Sequence, residues 1–149
     1  MGASFALYQT DPDNWVSMSY GHVHVLRKLL LRPLRLEEMY ADFMASRNDL
    51  EAQLKFDRIT TALHVIQQAD EGNDFAYGIE YFIDHSDCED VFYSGPAGDI
   101  SKAFEWALNE YETRPELKEG VDPAYFTTME KMKKLFHEAD ESNGIVIIN

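Results

Sequence analysis

Apolar residues recur along the chain at two different periods, and the period changes where the elements change. Phe5 to Gln9 alternates weakly between apolar and polar positions, which predicts a short strand ended by the turn-forming run Asp11-Pro12-Asp13-Asn14. Trp15 to Tyr20 predicts a second short strand. From Gly21 the spacing becomes helical, with Val25, Leu26, Leu29 and Leu30 three and four residues apart until Pro33 stops the run. Leu36, Met39, Tyr40, Phe43 and Met44 then form one apolar stripe on a short amphipathic helix.

Asn48 and Asp49 are expected to cap a longer helix reaching about Asp70, with Phe56, Ile59, Leu63 and Ile66 inside and Gly72 closing it. Asp74 caps another through Ile83, carrying Phe75, Ile79 and Phe82. Val91-Phe92-Tyr93 favours a strand or an extended loop over Asp90 to Ser94, and Gly95-Pro96-Ala97-Gly98 reads as a turn. Asp99 then caps the best-patterned helix, whose inner face holds Ile100, Ala103, Phe104, Ala107, Leu108 and Tyr111 and which ends at Pro115. Asp122-Pro123 starts a last helix, with Tyr125, Met129, Met132, Phe136 and Ala139 leading to Asn143-Gly144. The wholly apolar Ile145 to Ile148 predicts a buried strand that pairs with the N-terminal one. The expected fold is α+β: a mostly helical single domain spanning 1–149, with a small sheet formed by the N- and C-terminal strands.

Composition supports a folded core. The chain has 149 residues, 45% of them apolar and 13% aromatic, without repeats, low-complexity tracts or linkers. The N-terminal residues lack the basic and apolar regions of a signal peptide, and Ala6 stands where a myristoylation start needs Ser or Thr. No apolar run is long enough for a membrane helix, and the single cysteine, Cys88, can form no internal disulfide, so the expected location is cytoplasmic.

The densest reactive cluster is Asp84-His85-Ser86-Asp87-Cys88-Glu89-Asp90, at a helix-to-loop junction. His85, Asp87 and Glu89 are weak candidates for a divalent metal, because the glycine and the twelfth-position acid of an EF-hand are both absent. A Cys88 nucleophile is opposed by Asp87, Glu89 and Asp90, whose negative charge disfavours a thiolate. The plain alternative is a helix end with His85 near the carbonyl groups and Cys88 as a small buried hydrophobe. His22 and His24 point to different faces on a helix and to the same face on a strand, and they lack a nearby Cys or Asp for metal binding. No nucleotide-cradle, hydrolase-elbow or zincin motif is present, so no cofactor is expected and no catalytic residue is assigned.

The stretch Phe82-Ile-Asp-His-Ser-Asp-Cys-Glu89 follows an aromatic-rich helix and precedes an amphipathic one. In that setting it resembles small uncharacterised bacterial and phage proteins that carry His-Ser-Asp-Cys-Asp/Glu-Gly. The likeness extends loosely to Tyr20 to Leu31 and to the final Phe136 helix with its apolar end, and departs at Asp90, where the motif has glycine. It implies an organisation and no activity.

Charge changes the picture most. The formal net charge is −14, and residues 70 to 122 hold 15 acidic and 3 basic side chains, a net of −12. Gly21 to Arg35 instead holds Arg27, Lys28, Arg32 and Arg35 with no acid, and four positive charges cannot balance twelve. Such a distribution repels nucleic acid and speeds association with a basic protein. The leading expectation is a non-catalytic binding module of bacterial or phage origin, of the immunity-protein or inhibitor type. Its acidic face would meet a basic surface such as that of a toxin or a nucleic-acid-handling enzyme, through Glu80, Asp84, Asp87, Glu89, Asp90, Glu105, Glu110 and Glu112. The alternatives are a metal-dependent protein or enzyme using the His85 to Glu89 turn, and a self-associating module with an apolar patch near Trp15, Tyr93 or Trp106. Solubility alone also accounts for an acidic surface.

Overall fold

A computed structural model describes residues 2–7, 15–46, 48–69, 74–84, 90–92 and 94–148. Strand β1 (Gly2–Leu7) and strand β2 (Val16–Ser19) pair antiparallel, Phe5 opposite Val16 and Gly2 opposite Ser19. A third segment, β3 (Asp90–Phe92), and the last strand, β4 (Val146–Ile148), complete the order β2-β1-β4-β3, every pairing antiparallel. Strand β4 lies along the other edge of β1, with Phe5 opposite Ile148. It thus occupies an inner position, which accounts for its lack of polar residues. Ala3, Phe5, Val16, Met18, Val146 and Ile148 are buried, while the outer-face Ser4 and Ser17 hydroxyls meet at 2.8 Å.

The helices pack on the sheet and on each other. Helix α1 (Tyr20–Leu31) starts on Ser19, whose hydroxyl accepts from the His22 amide at 3.1 Å, and buries Val23, Leu26, Leu29, Leu30 and Leu31. Pro33 diverts it into a 3-10 turn, Arg32–Leu34, before α2 (Glu37–Ala45). Helix α3 (Ala52–Ala69) begins three residues beyond Asp49, whose backbone carbonyl accepts from Ala52. Helix α4 (Phe75–Asp84) carries Phe75, Ile79 and Phe82 inward, as its spacing requires. Gly72 lies outside the described residues.

Helix α5 (Ser94–Thr113) differs from expectation. It starts at Ser94, so Gly95-Pro96-Ala97-Gly98 forms its first turn and Asp99 is an interior residue, not a cap. Proline is compatible with a first helical turn, whose amides lack intrahelical partners anyway. Gly98 is buried against α6, and a methyl group on it would lie 2.7 Å from the carboxyl carbon of the exposed Asp140, a side-chain end that can turn aside. After a 3-10 turn at Pro115–Lys118 comes α6 (Ala124–Glu141), entered through Asp122, whose Oδ1 accepts from the Ala124 amide at 2.9 Å. The helix stops where Asn143 turns left-handed (φ 56°) and the Gly144 amide bonds back to the Ala139 carbonyl at 2.8 Å.

The core runs along α5, which packs against α4 on one side and α6 on the other. On the α4 side Phe75 stacks on Trp106 at 4.2 Å and Phe82 meets Phe104 edge-on at 5.2 Å. Gly78 lets the two backbones touch, since any Cβ there would overlap the Asp99 carbonyl. Tyr111 reaches α1, its buried hydroxyl donating to the Leu29 carbonyl at 2.6 Å. Burial holds that phenol well above its ordinary pKa.

Candidate functional site

The acids of residues 70 to 122 divide among different environments. Glu105 and Glu112, seven residues apart, stand exposed on the solvent face of α5. Asp84 is exposed at the last residue of α4. Two others are engaged within the chain. Glu80 bonds the His64 imidazole at 2.7 Å, joining α4 to α3, and Glu110 pairs with Arg114 at 2.9 Å. Arg114 also donates to the Pro33 carbonyl at 3.0 Å, so this pair clamps α5 to the turn after α1. Asp90 lies in β3, its backbone opposite Ile148. Asp87 and Glu89, with His85 and Cys88, fall outside the described residues. Among the described residues no group of three or more His, Cys, Asp or Glu side chains could hold a metal ion.

Glu112 lies at the edge of a groove of about 220 Å³ between α5, the turn at Pro115–Lys118 and α6. Leu108, Tyr111 and Phe126 form its apolar walls, and Glu112, Glu130 and Lys118 its charged ones. The Lys118 ammonium sits 5.4 Å from the centre of the Phe126 ring, and Glu130 is paired with Lys133 at 3.0 Å. The groove therefore offers an aromatic face and two carboxylates, the surroundings that suit the methylenes and charged head of a lysine or arginine side chain. Glu130 lies beyond the acidic segment, and nothing in its local sequence marks it; the crossing of α5 and α6 brings it there.

Two of the four cations at 21–35, Arg27 and Arg32, are engaged within the chain. The Arg32 guanidinium makes a two-point contact with Glu37, at 2.7 and 2.9 Å, and donates to the Leu117 carbonyl at 2.9 Å. The Glu37 hydrogen bond raises its pKa. Arg27 is buried, its guanidinium 5.9 Å from the Phe82 ring centre. Lys28 and Arg32 line a second cavity of about 250 Å³ together with Glu37, Asp122 and Tyr125.

The two early histidines do face apart. His22 packs edge-on against Tyr125 at 4.5 Å, and burial lowers its pKa against the opposing pull of Asp122. His24 Nδ1 and the Tyr40 hydroxyl are 3.0 Å apart. A further electrostatic feature has no signal in the sequence: the carboxyl group of Asp99 is raised in pKa, first by burial and then by Asp74 and Asp140, with Lys102 opposing. These acids come from separate segments, brought together by the packing of α4, α5 and α6. Of the three aromatic residues considered for an apolar patch, Trp106 is half-buried in its stack with Phe75, Trp15 is 37% exposed, and Tyr93 is outside the described residues. No helix among the described residues is long and apolar enough to cross a membrane.

Comparison with known proteins finds no matching family model, no matching curated protein and no matching solved structure.

Proposed function

We propose that this protein is a non-catalytic binding module that captures a basic protein surface through the outer side of α5, centred on the groove beside Glu112. The observation that carries this reading is the groove itself, where a lysine ammonium of the chain already rests on Phe126 in a pocket that Glu112 and Glu130 also line. A lysine or arginine from a partner could take the place of Lys118. Glu105, two turns back along the same helix face, extends the acidic surface, and Asp84 adds to its field. The immunity-protein or inhibitor role belongs to this proposal, with a toxin or a nucleic-acid-handling enzyme as the class of target.

A hexa-arginine peptide serves as the probe, titrated into labelled protein and followed by two-dimensional NMR. Shifts should concentrate on Leu108, Glu112, Phe126 and Glu130. Replacing Glu112→Gln and Glu130→Gln should weaken binding about tenfold, equivalent to about 1.4 kcal/mol. The charge-matched control Glu38→Gln with Glu51→Gln, both exposed and elsewhere, should change it less than about twofold. Equal losses in the two double variants would mean that bulk charge alone attracts the peptide, and the site would be withdrawn.

A further inference from the structure

The second cavity, between α1 and the entry to α6, brings together charges that the chain leaves unmatched. One wall belongs to α1 and the turn that follows it. Lys28 and Arg32 stand one turn apart there, and two like charges at that spacing repel each other. Arg32 is fixed in place, because its Nε and Nη2 donate to Glu37 and its Nη1 donates to the Leu117 carbonyl. A guanidinium carries five N–H donors, so one is left on each terminal nitrogen. Lys28 has no hydrogen bond or ion pair among the described residues.

The facing wall is the segment from Gly120 to Tyr125. Gly120 adopts a left-handed φ of 75°, which glycine does without strain, and the Val121 amide donates to the Lys118 carbonyl at 3.0 Å. Asp122 engages one carboxylate oxygen, which accepts from the Ala124 amide at 2.9 Å. Its second oxygen and the Tyr125 hydroxyl have no hydrogen bond among the described residues, and no ion pair joins Asp122 to Lys28. Val25, Leu29 and Val121 supply the apolar part of the lining. Both walls are therefore held by the fold while one charge on each stays open.

Size and charge identify the occupant. At the roughly 30 Å³ that a water molecule takes in the liquid, 250 Å³ is the room of about eight such molecules, which suits one small organic ligand and is too little for a nucleotide or a peptide. Lys28, Arg32, Glu37 and Asp122 sum to zero. A simple anion meets the two carboxylates and the field of a chain at −14, and a simple cation meets Lys28 and Arg32. A molecule with both signs on neighbouring atoms satisfies both walls at once. We propose that this cavity binds a single free α-amino acid with an apolar side chain. Its carboxylate lies between Lys28 and Arg32, its ammonium at Asp122, and its side chain on Val25, Leu29 and Val121.

Two-dimensional NMR of the labelled full chain tests this, with L-leucine and L-phenylalanine as probes up to about 20 mM, a range suited to ligands of about ten non-hydrogen atoms. At least one of the two should give saturable shifts at Val25, Lys28, Val121 and Tyr125. For L-leucine, 4-methylpentanoate lacks the amine and 3-methylbutylamine lacks the carboxylate, and each should bind at least about tenfold more weakly; phenylpropionate and phenethylamine serve in the same way for L-phenylalanine. Lys28→Met keeps the methylenes without the charge, and Asp122→Asn keeps a capping oxygen without the charge. Each should weaken the amino acid at least about tenfold while the melting temperature stays nearly unchanged. In Asp122→Asn the advantage of the amino acid over its amine-free analogue should vanish. No saturable shift from either amino acid overturns the proposal. So does equal binding of either one-charge analogue, or binding indifferent to both substitutions.

Discussion

Helices α5 and α3 are nearly equal in length, 20 and 18 residues, yet they are held in opposite ways. Helix α5 has a neighbour on each flank, buries Ile100, Ala103, Phe104, Ala107 and Tyr111, and leaves Lys102, Glu105, Asn109 and Glu112 to solvent. Helix α3 touches α2 and α4 along one side, where Ile59 and Leu63 are fully buried, and turns Leu54, Thr61 and Val65 outward. Its inner contacts are partly polar. The buried Gln67 amide donates to Asp74 and accepts from the Tyr77 amide, both at 3.3 Å, and Lys55 bonds the Ser46 hydroxyl at 2.6 Å. The difference teaches that a helix in the centre of a small domain can present a charged outer face, because its stability comes from its flanks. A helix at the margin is covered along one side only and leaves aliphatic side chains such as Leu54 and Val65 in water.

The sharpest way to break this contrast is to remove packing from α5. Phe104→Ala should cost about 3–5 kcal/mol, the usual range for a buried phenylalanine, and urea denaturation would read the loss directly. Gly78→Ala is the next largest. Its methyl group has no room beside the Asp99 carbonyl, so α4 must move away from α5, at about 1–3 kcal/mol by the same measurement. Leu54→Gln on α3 should change stability by less than about 0.5 kcal/mol, since the side chain is already in water. A loss comparable to that of Phe104→Ala would show α3 to be as deeply anchored as α5.

Titration sharpens the comparison more gently. The pKa of Asp99 in the folded protein lies above its ordinary value of 3.8, so folding disfavours the carboxylate. Its contribution favours the folded state below that value and is lost as pH rises through the raised one. Asp99→Asn should therefore raise the melting temperature at neutral pH and flatten its dependence across the acidic range. His22 behaves in the opposite sense. Its pKa is lowered from 6.5, so the stability of the neutral ring is present above that value and is lost as pH falls through the folded one. His22→Gln should reduce that acid-side loss, as melting curves between neutral and mildly acidic pH would show.

Much of the helical layout was legible in the spacing of apolar residues. The inner faces of α1, α4 and α6 follow it, and so do the entry to α6 on Asp122 and the pairing of the two terminal strands. The turn expected at Gly95-Pro96-Ala97-Gly98 is helical instead because glycine and proline have two meanings. Both break helices in isolation, but proline fits a first turn, and Gly98 is buried where α5 packs against α6. The exposure of Leu54 and Val65 on α3 is hidden for a related reason: Ile59 and Leu63 already account for its apolar period, and the two outer residues are separated by the polar Arg58 and Thr61. Of the acids expected to form one face, Glu105 and Glu112 do share the solvent side of α5, while Glu80 and Glu110 are drawn into ion pairs with His64 and Arg114. Pairing across helices depends on their crossing, which local sequence does not encode.

The sequence by itself determined the class of fold, most element boundaries and the concentration of negative charge, because periodicity, capping and composition are local properties. Only the tertiary structure decided which apolar residues lie inside, which acids are drawn into pairs, and which distant residues meet. Phe126 and Glu130 join Glu112 across one groove, and β4 enters the sheet between β1 and β3. Those outcomes depend on how helices and strands pack against one another, and packing is settled by the whole chain at once.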